Sequence, residues 1–292
     1  MKPRPAIYAS IPGAGPDITK EAGAAAALDA IADVHGWGGA SAGALVSAFK
    51  AFGVDDVSIR DVITRALDDN AMIDIVPDGR MGLLQWRVIG DLCDRVLGPT
   101  ARFAHAITPL VVGVSRLDTG APRYLSKQGT PSVLVREGLT ATASFGGGII
   151  TPLVQIPSLG TALNPSIEEH IDGGFTDNTC DAVWDRKKFP RVLFRFEGAD
   201  KADPDPKERV RDWDIPAVAA GMLRCGLRAA NRIKSVRRDT DAVTIWLPAG
   251  GGWKFNKSAK EVMDEWRQGY DAVMDQRHLI DCIPPEVTDD RI

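Results

Sequence analysis

The chain has 292 residues, 44% of them hydrophobic and 25% charged, with a formal net charge of −4. Those proportions suit a globular protein with a full core, and the acidic balance offers no global field for nucleic acid. The four cysteines, Cys93, Cys180, Cys225 and Cys282, form no Cys-x-x-Cys pair, which argues against a disulfide framework or zinc site and for free thiols in a reducing compartment.

Behind the basic start, Met1 to Pro5, the apolar run extends only from Ala6 to Ala9. That is too short for a secretory signal core, and no run approaches the ~18 apolar residues of a membrane span. A cytoplasmic protein is the expectation.

Ala6 to Ser10 reads as a first buried strand, ending in the loop Ile11-Pro12-Gly13-Ala14-Gly15-Pro16-Asp17. Thr19 reads as the cap of an Ala-rich helix from Lys20 to Asp33. The apolar run Ile31 to Val34 then leads into His35-Gly36-Trp37-Gly38-Gly39-Ala40-Ser41-Ala42-Gly43, and a helical pattern, Ala42 to Phe52, leads out. Strand, Gly-rich loop, helix, strand, turn and helix make a βαβα beginning, so a three-layer αβα sandwich with a mainly parallel central sheet is expected, in one domain over 1–292.

Ser58 to Asp68 and Leu83 to Leu97 carry apolar residues at helical spacing, with the turn Pro77-Asp78-Gly79 between them. Thr108 to Ser115 is a continuous apolar strand with a shorter partner, Arg123 to Ser126, and Pro131 to Thr140 reads as helical. Gly146-Gly147-Gly148 precedes an apolar stretch, Ile149 to Ile156. Strands follow at Arg191 to Phe196 and Ala242 to Leu247. Residues 198–211 read as a charged, Pro-containing loop, Ile215 to Arg238 as a long helix, and Ser258 to about His278 as the last helix.

Gly39-x-Ser41-x-Gly43 has the form of a nucleophile elbow. Small residues on both sides of the serine let a strand reverse into a helix while the hydroxyl stays exposed at the turn. The helix that follows points its free N–H groups and partial positive charge at the place where an oxyanion forms. A Gly-rich turn with an N-capping serine fits the bare pattern as well, so a base must be found.

Four histidines are present, His35, His105, His170 and His278, and only His278 stands late enough for a Ser-His-Asp order. It falls at a helix end among Asp275, Arg277 and Asp281, where a solvated histidine is the simpler reading. Asp172 is better placed: it ends a short apolar run and precedes Gly173 and Gly174, so its carboxylate can stand on a tight turn with little bulk around it.

These features together resemble the patatin-like phospholipase family. The marks are a Gly-rich loop after the first strand (Gly13-Ala14-Gly15), the elbow with Gly39 and Gly43 around Ser41, and a later Asp172-Gly173-Gly174 followed by Asp177-Asn178. Gly113 to Gly120 resembles the family's middle strand and turn, and Thr140 to Pro152 a stretch that usually contains Ala-Ser. The resemblance covers residues 6 to 185.

The resemblance implies a Ser41-Asp172 dyad without histidine, an acyl-enzyme intermediate, a (phospho)lipid ester substrate, no metal or redox cofactor, and an oxyanion hole from the N–H groups of Gly13, Ala14 and Gly15. Such a base works best as a partly desolvated carboxylate with a raised pKa. The loop departs from the family pattern at Ala14, Pro16 and Asp17: Pro16 has no N–H, and Asp17 brings negative charge where a basic residue usually stands. Two other readings stay open, a weakly active or inactive member of this fold that binds lipid or protein, and a Ser-His-Asp esterase using His278. Arg224, Arg228 and Arg232 make Ile215 to Arg238 locally basic and amphipathic, either an ordinary surface helix or a peripheral contact with anionic membrane.

Overall fold

Strand β1 (Ala6–Ile11) is buried along almost its whole length, as an unbroken apolar run requires of a strand paired on both edges. The computed structural model describes residues 3–68, 74–75, 84–85, 87–144, 154–159, 168–184, 189–197, 242–249 and 256–284. Around β1, strand β2 (Asp33–Gly39) pairs parallel on one side. The helices between and after them are α1 (Ile18–Ile31), α2 (Ser41–Ala51) and α3 (Asp56–Asp68). A separate two-residue pairing joins β3 (Asp74–Ile75) to β4 (Leu84–Gln85), ahead of α4 (Arg87–Leu97).

The sheet continues with β5 (Leu110–Arg116), β6 (Pro122–Ser126), α5 (Val135–Thr142), β7 (Val154–Gln155) and β8 (Glu169–Asp172). It closes with β9 (Arg191–Phe196) and β10 (Ala242–Leu247), and the described chain ends in α6 (Ala259–Asp275) and α7 (Arg277–Asp281). The order is β10-β9-β1-β2-β5-β8-β7, with β6 also on β5. The first five strands of that order run parallel, and β6, β7 and β8 pair antiparallel, so the expected mixed α/β class with a mainly parallel sheet is what the chain adopts.

One feature of this sheet determines where the site forms. β6 pairs with Val111 to Ser115 of β5, so it occupies one edge of that strand along its length. β2 pairs with residues Leu110 to Val112 and β8 with residues Val114 to Arg116, so both must share the other edge. They run in opposite directions and therefore meet end to end opposite Gly113. The chain after β2 is the elbow, and the chain after β8 is Asp172-Gly173-Gly174.

The core lies where the helices meet the sheet. Ile7, Ala9 and Ile11 of β1 join Leu110, Val112 and Val114 of β5 and the buried faces of α1, α2, α5 and α6 in one cluster. Val111, which points the other way, joins Ala40, Cys180 and Trp184 in a second cluster, where Tyr8 stacks on Trp184 with ring centroids 4.6 Å apart. Helix α1 is buried on all sides from Ile18 to Leu28 and crosses α6 so closely that small residues are obligatory at the crossing.

Several boundaries differ from the sequence expectation. Helix α1 begins at Ile18, with Asp17 rather than Thr19 at the cap position and no side-chain capping bond. The stretch from His35 to Gly39 is strand rather than turn: Gly36 and Gly38 leave room for the Trp184 ring, 3.0 and 3.2 Å from where their Cβ atoms would stand. Leu84 and Gln85 form strand, so the helical pattern read from Leu83 begins only at Arg87. Ser258 caps α6 with a capping box through Glu261, and Gln276 separates α6 from α7. The turn at Pro77, the glycines at 146–148, the loop 198–211 and the helix Ile215 to Arg238 lie outside the described residues. Among the described residues no helix is long and apolar enough to cross a membrane.

Candidate active site

Ser41 stands at the tip of the elbow, partly exposed, with φ of +51°. A non-glycine residue in that region costs on the order of 1 kcal/mol, and such strain persists only where the surroundings fix it. Here they do. The Ser41 N–H donates to Thr142 Oγ1 at 2.9 Å, and the Thr142 hydroxyl donates to the Gly113 carbonyl. Below the elbow, a Cβ on Gly43 would lie 2.3 Å from the Pro12 carbonyl oxygen, and one on Gly39 would lie 2.6 Å from that of Ile11. Both glycines are thus required by close packing of the elbow against the end of β1.

Asp172 ends β8 and is 3% exposed. Its carboxylate accepts a hydrogen bond from the Gly174 N–H at 2.7 Å, and the Ser41 hydroxyl lies beside it. Burial pushes its pKa up to about 6, against the opposing effect of those two groups, which favour the charged form. The backbone is held on both sides: the Asp172 N–H donates to Ser144 O at 3.1 Å, and Ser115 Oγ donates to Asp172 O at 2.8 Å. Gly173 packs against Gly113, where an added Cβ would lie 2.2 Å from the carbonyl oxygen.

The loop after β1 reaches the same place. A Cβ on Gly13 would lie 2.7 Å from Ser41 Cβ. The Gly13 N–H donates to Asn178 Oδ1 at 2.9 Å, while the N–H groups of Ala14 and Gly15 have no hydrogen bond among the described residues. The departures in this loop fit its geometry. Ala14 has φ of −134° and needs no glycine, whereas Gly15, at +57°, uses the left-handed region that glycine enters without strain. Pro16 occupies the first turn of a short 3-10 helix, Gly15–Asp17, where a missing N–H costs nothing. Asp17 is buried and its carboxylate lies 3.4 Å from Lys20 Nζ, so its charge is balanced by a neighbour on α1.

Lys257 Nζ holds the back of the loop, donating to Pro16 O at 2.6 Å and pairing with Glu265 at 2.6 Å. Glu21 lies in the same region, fully buried with a pKa raised well above the ordinary carboxylate range, by desolvation first and the Asp17 charge second.

The structure thus brings Ser41, Asp172, Gly13, Gly39, Gly43, Gly173 and Gly174 together from three loops. His278 is exposed on α7, and none of the described contacts of Ser41 or Asp172 involves it. The Thr142 and Ser115 hydroxyls and the Ser144 carbonyl hold the backbone of Ser41 and Asp172, and the sequence did not mark them as such, because single hydroxyl residues at the ends of helices and strands are too common to stand out. The one signal was the Ala-Ser pair at Ala143 and Ser144. Among the described residues no group of His, Cys, Asp and Glu has the geometry of a metal site.

No curated protein matches the chain. Among solved structures, VipD from Legionella pneumophila is similar with a TM-score of 0.58 at 15% identity, over 96% of this chain and 67% of that one. The type III effector protein ExoU gives 0.48 at 12% identity, over 96% of this chain and 54% of its own. A family model described as patatin-like phospholipase matches residues 10–180, more than half of the chain and the whole stretch from the loop after β1 through Asp172. The chain belongs to the patatin-like phospholipase family.

Proposed function

We propose that this protein is a lipid acyl hydrolase that cleaves carboxylic esters of (phospho)lipids through Ser41 and Asp172. Family membership supports lipid hydrolysis, and one observation carries the mechanism: the Ser41 hydroxyl lies beside the buried carboxylate of Asp172, whose pKa burial pushes up to about 6. An ordinary aspartate near 3.9 is too weak a base to take a serine proton efficiently, and desolvation corrects that without a histidine.

In the forward step Ser41 Oγ attacks the ester carbonyl and its proton passes to Asp172. The carbonyl π electrons move onto oxygen. That oxyanion is received by N–H groups of the Gly13–Gly15 loop, chiefly Ala14 and Gly15, with the N-terminus of α2 behind it. Collapse expels the alcohol, which takes the proton from Asp172 and leaves Ser41 acylated. Water, deprotonated by Asp172, then attacks the acyl-enzyme, the fatty acid leaves, and Ser41 recovers its proton. Partial exposure of Ser41 admits substrate, while burial of Asp172 keeps its proton exchange confined to the reacting groups. Peripheral contact with membrane through Ile215 to Arg238 belongs to the same proposal, and vesicle binding lowered by charge reversal at Arg224, Arg228 and Arg232 tests it.

The activity is tested by incubating the protein with a mixed lipid extract and reading products by mass spectrometry. Free fatty acid and deacylated lipid produced by the wild type and absent with Ser41→Ala are expected. Equal product patterns from the two proteins refute the proposal.

A further inference from the structure

A closed ring of contacts surrounds the dyad. The Ser41 hydroxyl lies beside the Asp172 carboxylate, Asp172 accepts from the Gly174 N–H, and a Cβ on Gly174 would lie 2.9 Å from Asn178 Oδ1. Asn178 in turn holds Gly13 by both of its backbone groups: the Gly13 N–H donates to Oδ1 at 2.9 Å, and Nδ2 donates to Gly13 O at 3.3 Å. Gly13 then abuts Ser41 and closes the ring.

We propose that Asn178 is a positioning residue that sets the oxyanion loop against the nucleophile, tying that loop to the loop that carries the base. The proposal rests on the acyl-hydrolase reading above. A primary amide is the side-chain group that presents one donor and one acceptor side by side, as a neighbouring strand does, so it can fix a glycine that has no side chain of its own. Asn178 has a firm platform for this. The adjacent Asp177 accepts from the Tyr124 hydroxyl at 2.6 Å and from the Cys180 N–H at 3.2 Å, and its own N–H donates to Gly173 O at 2.9 Å.

Two consequences follow from this arrangement. The Gly13 N–H is engaged by Asn178, so the loop's donors that have no acceptor among the described residues are the next two, on Ala14 and Gly15. Their distance from the carbonyl being attacked is set by where Asn178 holds Gly13, 165 positions away in the chain. Displacement of a catalytic group by about 1 Å typically costs on the order of a hundredfold in rate. Asn178 touches no reacting atom, so its effect should fall on the transition state and leave substrate binding alone.

The test uses Asn178→Ala and the isosteric Asn178→Asp, which keeps an acceptor for the Gly13 N–H but loses the donor to Gly13 O. Each protein is titrated with a fluorophosphonate, so that kcat for a soluble ester is expressed per reactive Ser41. Affinity for a trifluoromethyl ketone, which forms a tetrahedral anion on the serine, is measured alongside. The expected result is kcat down about a hundredfold in Asn178→Ala, and at least tenfold in Asn178→Asp, with KM within threefold. Affinity for the ketone should fall in step with kcat/KM.

A variant that is merely less stable loses titratable serine but keeps kcat per serine, and that result overturns the proposal. So does a loss confined to KM, or an unchanged ketone affinity. If Asn178→Ala does not fold, Asn178→Asp decides alone by the same criteria. A wild type that neither turns over esters nor takes up the fluorophosphonate overturns the hydrolase reading and this proposal with it. An active wild type with an unaltered Asn178→Ala overturns the positioning role only.

Discussion

The backbone N–H of Ser41 donates to the hydroxyl of Thr142 at 2.9 Å, and that hydroxyl in turn donates to the Gly113 carbonyl. The strained turn at Ser41 is thereby pinned to the end of α5 and to the middle of β5 at once. Thr142→Val keeps the shape but takes this partner from the part-buried Ser41 N–H and from the buried Gly113 carbonyl, and a buried group left unpaired costs about 1–3 kcal/mol. We expect a ten- to hundredfold drop in kcat on a soluble ester, with Thr142→Ser close to wild type. Wild-type turnover by Thr142→Val would show that the elbow holds itself.

On the proposed mechanism Asp172 must be ionised to accept the serine proton, and burial pushes its pKa up to about 6. The rate constant kcat/KM should therefore rise with pH through about 6 and level off above it, standing at about a tenth of its plateau at pH 5. An exposed aspartate near 3.9 would be almost fully active there. A profile between pH 4.5 and 8 separates the two, and a flat line across that range would remove Asp172 as the titrating base.

The same shift lowers stability. A folded pKa of about 6 against an unfolded value of 3.8 is a difference of 2.2, which corresponds to about 3 kcal/mol. The folded state holds the proton more tightly, so the stability linked to this group is present below about pH 4 and is lost as pH rises through 6. Asp172→Asn cannot ionise. It should be the more stable protein at pH 8, by up to about 3 kcal/mol, with the advantage gone below pH 4. Urea unfolding at the two pH values reads this directly, and a variant less stable than wild type at pH 8 would contradict it.

How much of this was legible in the sequence differs from element to element. Arg191 to Phe196 and Ala242 to Leu247 were bounded to the residue, because short, mainly apolar and β-branched or aromatic segments between polar stretches leave a parallel strand little freedom. The elbow and Asp172-Gly173-Gly174 were visible because close approach of backbone demands glycine, and glycine is conspicuous. That β2 and β8 share one edge of β5 was not visible, since pairing between distant strands leaves no local trace. Glycines in β2 read as a turn because their reason, the Trp184 ring, comes almost 150 residues later in the chain. The Asp17 charge looked like an obstacle to the oxyanion only while its partner Lys20 was out of view.

The crossing of α1 and α6 gives a prediction about the fold alone. A Cβ on Gly269 would lie 1.9 Å from the Lys20 carbonyl oxygen, and one on Gly23 would lie 2.0 Å from that of Trp266. Backbone cannot yield as a flexible side chain can, so the helices must separate. Gly269→Ala should destabilise by about 1–3 kcal/mol despite alanine's better helix propensity. Chemical denaturation measures it, and a stabilised variant would mean that the helices are farther apart than described.

On the proposed mechanism Ser41 and Asp172 act as one unit. Ser41→Ala, Asp172→Asn and the double variant, each confirmed folded by circular dichroism, should be assayed on one soluble ester. Each single change should remove nearly all turnover, by roughly 10²–10⁴ or more, and the double variant should be no worse than the poorer single one. If Asp172→Asn kept more than about a tenth of wild-type turnover, the direct-base role of Asp172 would be wrong.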